Sequence, residues 1–239
     1  MQHNLDSLIG FEIKALDGEI GHCKDFLFDD QFWTVRYMVA DTGSWLTDKK
    51  VLISPMSINR LDLKNRNVET DLAGHEIEQS PLLDEDAPVS RQYEIRWARH
   101  YGIVPYWAGP FAWGPSAFPI RLATHVRRDD IVEDADGDQD KNLRSAREIL
   151  GYKISASDGS IGHIEDFIID DDTWTIRYTV IDTRNWLPGG RKVLISHLWI
   201  EFIDWSERKV WVNLTKEKIA NSPLYDPSAT VSRACEERL

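Results

Sequence analysis

The sequence predicts a mainly β chain: two small β-barrels that are copies of one unit, each followed by a short helix. A long internal match, period-two alternation of apolar residues and matched turn residues predict it. The match decides the architecture, because an internal repeat outranks local propensity. The stretch from Gly10 to Phe26 (GFEIKALDGEIGHCKDF) returns from Gly151 to Phe167 (GYKISASDGSIGHIEDF). It continues as Asp29 to Tyr37 against Asp170 to Tyr178, with Trp33 opposite Trp174 and Arg36 opposite Arg177. After a single inserted residue the register holds through Ser80-Pro81-Leu82 and Ser222-Pro223-Leu224, and on to Val89-Ser90-Arg91 and Val231-Ser232-Arg233. About half of the aligned positions are identical, which makes the chain an internal duplication. The divisions expected are a first repeat over 5–85, a helix, aromatic strap and acidic linker over 86–147, a second repeat over 148–227, and a short C-terminal helix over 228–239.

Each element has a local cause. Asp17-Gly18 and Asp158-Gly159 signal tight hairpins, since glycine accepts positive φ without steric cost. Trp33, Val35, Tyr37 and Val39 alternate with Thr34, Arg36, Met38 and Ala40, the period of a half-buried strand. Trp174, Ile176, Tyr178 and Val180 repeat it. Asp29-Asp30 and Asp170-Asp171-Asp172 read as turns, as do Lys64-Asn65-Arg66 and Ser206-Glu207-Arg208. Val210, Val212 and Leu214 form a further strand, and Lys216 to Asn221 a short helix that stops before Pro223. Strands this short and this closely spaced predict a closed or nearly closed barrel. Ser90 and Ser232 are N-cap residues, and the helix after Ser90 is expected to stop at Tyr101-Gly102.

The linker is unusual. From Tyr101 to Phe118 it is rich in aromatics, Gly and Pro, unsuited to a helix or central strand yet too apolar for a solvated spacer. Two readings stand. Trp107, Phe111, Trp113 and Phe118 pack on the barrels as a strap, or they form an exposed patch for a partner. Trp45-Leu46 and Trp186-Leu187 pose the same choice, capping a barrel end or meeting a partner. The candidate partner contacts are therefore Trp107, Phe111, Trp113, Trp45 and Trp186. Beyond Arg121 the chain turns acidic and is read as solvated.

The remaining chemistry is sparse. The formal net charge of −12, from 40 acidic and 28 basic residues, argues against nucleic acid and favours a basic protein partner. Asp134, Asp136 and Asp138 mimic a calcium loop, but the glycine is misplaced at Gly137 and the twelfth position is Ser145. His22 and His163 occupy matched places, which argues for a structural role; neither has a second ligand at metal spacing along the chain. Asp25 and Asp166 are expected to bond their own strand or turn, and Arg36 and Arg177 to pair with carboxylates such as Asp41 and Asp182. Cys23 falls where the second copy has Ile164 and reads as a small core residue; with Cys235 it forms no disulfide framework. No nucleophile, base and oxyanion site assemble, so no catalytic residue, metal or cofactor is expected. Without a signal-peptide pattern or a long apolar run, the expected location is cytoplasmic.

The quoted residues resemble the PRC-barrel pattern: Gly10, Asp17-Gly18, Ile20-Gly21, Asp25-Phe26, Trp33, Arg36-Tyr37 and Val51-Leu52-Ile53-Ser54, with their second rendering from Gly151 to Ser196. The resemblance implies a small β-barrel used for protein contacts. Relatives in that family include the cytoplasmic domain of the photosynthetic reaction-centre H subunit and the C-terminal domain of a ribosome maturation factor. The function expected is a non-enzymatic scaffold or adaptor. The alternatives are a soluble accessory of a photosynthetic or electron-transfer complex, or a small-ligand-binding barrel. The two barrels are expected to form an intramolecular pseudo-dimer, and a homodimer of the chain is left open.

Overall fold

The computed structural model describes residues 1–43, 49–83, 89–121, 143–184, 186 and 189–226. In chain order the strands are β1 (Gln2–Asn4), β2 (Glu12–Ala15), β3 (Gly18–Asp29), β4 (Thr34–Asp41), β5 (Lys50–Ile53), β6 (Ile58–Asp62) and β7 (Asn67–Thr70). Helices α1 (Gly74–Glu78) and α2 (Arg91–Tyr101) follow. Then come β8 (Leu143–Ser145), α3 (Ala146–Ile149), β9 (Lys153–Ala156), β10 (Gly159–Asp170), β11 (Thr175–Asp182), β12 (Lys192–Ser196), β13 (Ile200–Asp204), β14 (Lys209–Val212) and α4 (Lys216–Ala220). The C-terminal helix expected over 228–239 and the acidic residues 129–140 lie outside the described residues.

The chain divides into two compact units. The N-terminal unit comprises Leu8–Ser145 and Asp172–Trp174; the C-terminal unit comprises Met1–Ser7, Ala146–Asp171 and Thr175–Leu239. In the N-terminal unit the ladders run β6-β7-β2-β3-β4-β5, and in the C-terminal unit β13-β14-β9-β10-β11-β12. The β2·β7 and β9·β14 pairs are parallel and their neighbours antiparallel. The strand spacing predicts a closed or nearly closed barrel. Instead, among the described residues no ladder joins β5 to β6 or β12 to β13, and each sheet stays open.

Most local expectations are met, but Trp33 and Trp174, read as strand residues, end the turns ahead of β4 and β11 at φ of 50° and 57°, and Leu214 falls just past β14. The first hairpin of each unit turns one residue early, pairing Ala15 with Gly18 and Ala156 with Gly159. The aspartate is thereby freed to bond the first turn of the short helix that follows the last strand of the sheet ladder. Asp17 accepts from the backbone N–H of Gly74 at 2.7 Å, and Asp158 from that of Lys216 at 2.8 Å. Ser90 caps α2 through the Tyr93 amide, and Gly102 at φ 62° ends it. The cores are aliphatic and aromatic: Ile13, Phe28, Val35, Leu52 and Ile53 are fully buried in one unit, and Ile154, Ile164, Ile176, Val180 and Val193 in the other. Cys23 is buried and unpaired, as its alignment with Ile164 predicted.

Each unit carries one further short strand. Strand β3 is paired at its far end with β8, Leu27 opposite Ser145 and Asp29 opposite Leu143. Strand β10 is paired at the same place with β1, Ile168 opposite Asn4 and Asp170 opposite Gln2. Each unit thus takes its extra strand from the chain just ahead of the other unit's first hairpin.

Candidate interaction surfaces

In the N-terminal unit the strap is built into the core. Strand β4 is buried on both faces, whereas the alternation of its sequence predicted one. Arg36, on the second face, is only 1% exposed. Its guanidinium donates to Asp29 at 3.1 Å and to the Ala112 carbonyl, and lies 4.0 Å from the ring centre of Tyr106 and 5.2 Å from that of Trp113. Its partner is therefore Asp29 rather than Asp41. Beside it the Tyr37 hydroxyl donates to Glu94 at 3.0 Å, and Glu94 pairs with Arg91 at 3.1 Å. Burial, then the Glu94 charge, pushes the Tyr37 hydroxyl well above its ordinary value. Arg91 in turn lies 3.8 Å over the ring of Trp107. A sheet face with arginine in it is thus covered by an aromatic strap that offers cation–π contacts and a carbonyl.

The candidate contact residues separate accordingly. Trp113 is 1% exposed, and its indole N–H donates to the Thr173 carbonyl at 3.0 Å. Trp107 is partly buried under Arg91, while Phe111 and Phe118 face solvent. Trp186 is partly exposed, and Trp45 lies outside the described residues.

In the C-terminal unit the corresponding face is different. Arg177 pairs with Asp170 at 3.3 Å, not with Asp182, and its side chain is 45% exposed. Exposed apolar groups cluster on the β13–β14 hairpin and just before it. Phe202 and Trp211 are cross-strand partners whose rings stack at 5.6 Å and 19°, with 52% and 38% exposure. The matching partners in the N-terminal unit are Arg60 and Glu69. Leu198 and Trp199 are also exposed, and Trp199 helps line an open groove of about 510 Å³ with Leu214, Thr215 and Lys218. Neither motif nor local pattern singles out Phe202 or Trp211. A comparison of the matched stretches position by position carries the signal, because a cross-strand pair of charged residues in one is aromatic in the other.

Two groups of carboxylates act differently from expectation. His163 is not isolated: Glu165, two residues on along the same strand, and Asp182, its cross-strand partner, bring their ligand atoms within 4.8 Å. That donor set fits a small divalent cation. Protein cations already serve its carboxylates, since Arg184 donates to both oxygens of Asp182 at 3.0 and 3.1 Å and Lys192 binds Glu165. The Arg184 hydrogen bonds hold Asp182 at a pKa of about 2. In the N-terminal unit Lys24 stands where Glu165 does, 3.4 Å from Asp41.

The second group holds the extra strands. Asp25 and Asp166 each accept the amide of the next residue at 2.7 Å, as expected of a local role. Each also accepts from the third residue of the added strand: Ser145 Oγ at 2.5 Å on Asp25, and Asn4 Nδ2 at 2.7 Å on Asp166. The second residue of the strand reaches the aspartate of the following turn. Arg144 lies 3.4 Å from Asp30, and His3 Nε2 lies 2.8 Å from Asp171. Spacing could not reveal these pairs, since the partners are more than a hundred residues apart.

Residues 141–219 match the PRC-barrel domain. The match runs from just before β8 to the end of α4, so it includes a strand that belongs in space to the N-terminal unit. No curated protein matches the chain. Among the described residues no helix is long and apolar enough to cross a membrane.

Proposed function

We propose that the chain is a tandem PRC-barrel protein acting as a non-enzymatic scaffold, and that the β13–β14 hairpin is its protein-docking surface. Support for the duplication comes from the matched sequences, the common ladder order and shared backbone peculiarities. Trp33 and Trp174 have φ of 50° and 57°, and Arg66 and Arg208 both have 52°. Side chains rarely adopt that region, and two unrelated domains would not share two such positions.

One observation carries the docking surface: a solvent-facing cross-strand pair that is Arg60 and Glu69 in one unit is a stacked Phe202 and Trp211 in the other. Charged pairs keep a sheet face in water, whereas paired aromatics there gain free energy when something covers them. Aromatic residues are also the commonest anchors of protein interfaces. With a formal charge of −12 the chain favours a basic partner. The test is paired affinity capture with the native chain and a Phe202→Arg, Trp211→Glu variant, which restores the other unit's pairing. A partner held by the native chain and lost by the folded variant supports the surface. Equal capture by both removes it.

A further inference from the structure

The stacked pair on the β13–β14 hairpin has an unserved carboxylate beside it. A register shift between Ile200 and Phe202 gives β13 one extra residue, Glu201, and both Glu201 and Phe202 face solvent. Among the described residues Glu201 makes no ion pair or hydrogen bond. The neighbouring charges of the hairpin are engaged. Lys209 pairs with Glu207 at 3.0 Å, and Asp204 accepts from Ser206 Oγ at 2.7 Å and from the Glu207 amide at 2.9 Å. Nor does any cation of the described residues lie over the ring of Phe202 or Trp211.

Elsewhere in the chain, rings and a carboxylate set together are completed by arginine. Every cation over a ring among the described residues is Arg36, Arg66 or Arg91. Arg36 has the full set: two rings, at 4.0 Å and 5.2 Å, and Asp29 at 3.1 Å. A guanidinium is planar and weakly hydrated, so it stacks on a ring while its edge donates to a carboxylate, which a compact ammonium does less well. Phe202, Trp211 and Glu201 supply the rings and the acid without the arginine. Negative ring faces and a carboxylate select a cation, in a chain of formal net charge −12. We propose that the partner of this surface is a basic peptide segment that lays an arginine side chain across the Phe202–Trp211 pair and onto Glu201. The assignment rests on the hairpin being a docking surface and names what that surface reads. In the N-terminal unit Asn59, Arg60 and Glu69 hold the matched positions, so no ring is offered there.

The test follows the indole N–H resonance of Trp211 in the full-length chain, assigned with Trp211→Phe, as short peptides are added at low salt. The probes are acetyl-Gly-Arg-Gly-amide and the same peptide with Lys or Gln at its centre. The arginine peptide is expected to shift the resonance to saturation, the lysine peptide to bind about threefold more weakly, and the glutamine peptide to give no saturable shift. Glu201→Gln changes an exposed side chain and is expected to weaken the arginine peptide by about two- to fivefold, the effect of losing one exposed charge contact. Glu19→Gln removes the same charge from an exposed position of the N-terminal unit and is expected to change nothing. An arginine peptide that binds no tighter than the lysine or glutamine peptide overturns the assignment. So does a Glu201→Gln chain indistinguishable from Glu19→Gln. Either failure leaves the docking surface standing if the Phe202→Arg, Trp211→Glu variant still loses its captured partner, whereas equal capture removes the surface itself.

Discussion

At the scale of single residues, the repeated Ile-Gly-His step shows how a motif can be visible while its reason is not. Gly162 has φ of 70°, and a Cβ placed there would lie 2.4 Å from the Asp182 carbonyl oxygen; at Gly21 the distance to the Asp41 carbonyl is 2.1 Å. The glycine lets one strand of the hairpin approach its neighbour's backbone, and backbone cannot move aside as a flexible side chain does. Gly162→Ala is therefore expected to lower unfolding free energy by more than about 2 kcal/mol, from strain and overpacking together; urea denaturation measures it. The sequence shows that a glycine recurs there, but the opposing carbonyl comes from a strand twenty residues away.

Asp182 gives a pH prediction whose sign is fixed. Hydrogen bonds from Arg184 depress it from 3.8 to about 2. A carboxyl depressed in the folded state stabilises fully above its ordinary value, and that contribution is lost as pH falls through the folded value. Between pH 4 and 2 the Asp182→Asn variant should therefore lose stability less steeply than the native chain in acid titrations followed by circular dichroism. Asp166 has the opposite sign: burial raises its pKa, against hydrogen bonds from Asn4 and Asp6 that lower it. Its protonation relieves the fold as pH drops.

At the scale of elements, the strap is the clearest case of partial legibility. Its Gly, Pro and aromatic content marks it as neither helix nor spacer, and is compatible with both packing and display. Both descriptions apply, to different residues. Trp113 is enclosed and hydrogen-bonded, and Phe111, two residues earlier, is 55% exposed. Trp113→Ala should cost about 3–5 kcal/mol, as for a buried aromatic, and Phe111→Ala about 0.5 kcal/mol or less; paired denaturation curves measure the contrast. Sequence alternation could not distinguish β4 from β11, because the two strands carry nearly the same residues. What differs is the cover: a strap over Arg36 makes one strand buried on both faces, while Arg177 remains largely solvated. A covering segment from elsewhere in the chain leaves no trace in a strand's own periodicity.

At the scale of the whole molecule, connectivity makes an unusual demand. The first residues of the chain belong to the C-terminal unit, and residues 143–145, which lie directly ahead of the second repeat, belong to the N-terminal unit. The matched stretches were legible because they need only identity between residues. This crossing was not, because the donated strands are three residues long and carry no apolar alternation of their own; their recognition rests on Asp25, Asp30, Asp166 and Asp171. Damage near one end of the chain should accordingly register in the distant unit. Deleting residues 1–7 removes the β1 ladder and the donors to Asp166 and Asp171, uncovering the edge of β10. Amide exchange should then quicken at 167–170 while 27–29, held by β8, keeps its protection. Arg144→Ala with Ser145→Ala should produce the reverse pattern, faster exchange at 27–29 and unchanged protection at 167–170. If the deletion instead quickened exchange first around residues 10–29, the starting segment would be supporting the repeat it adjoins, and the crossed connectivity would be wrong.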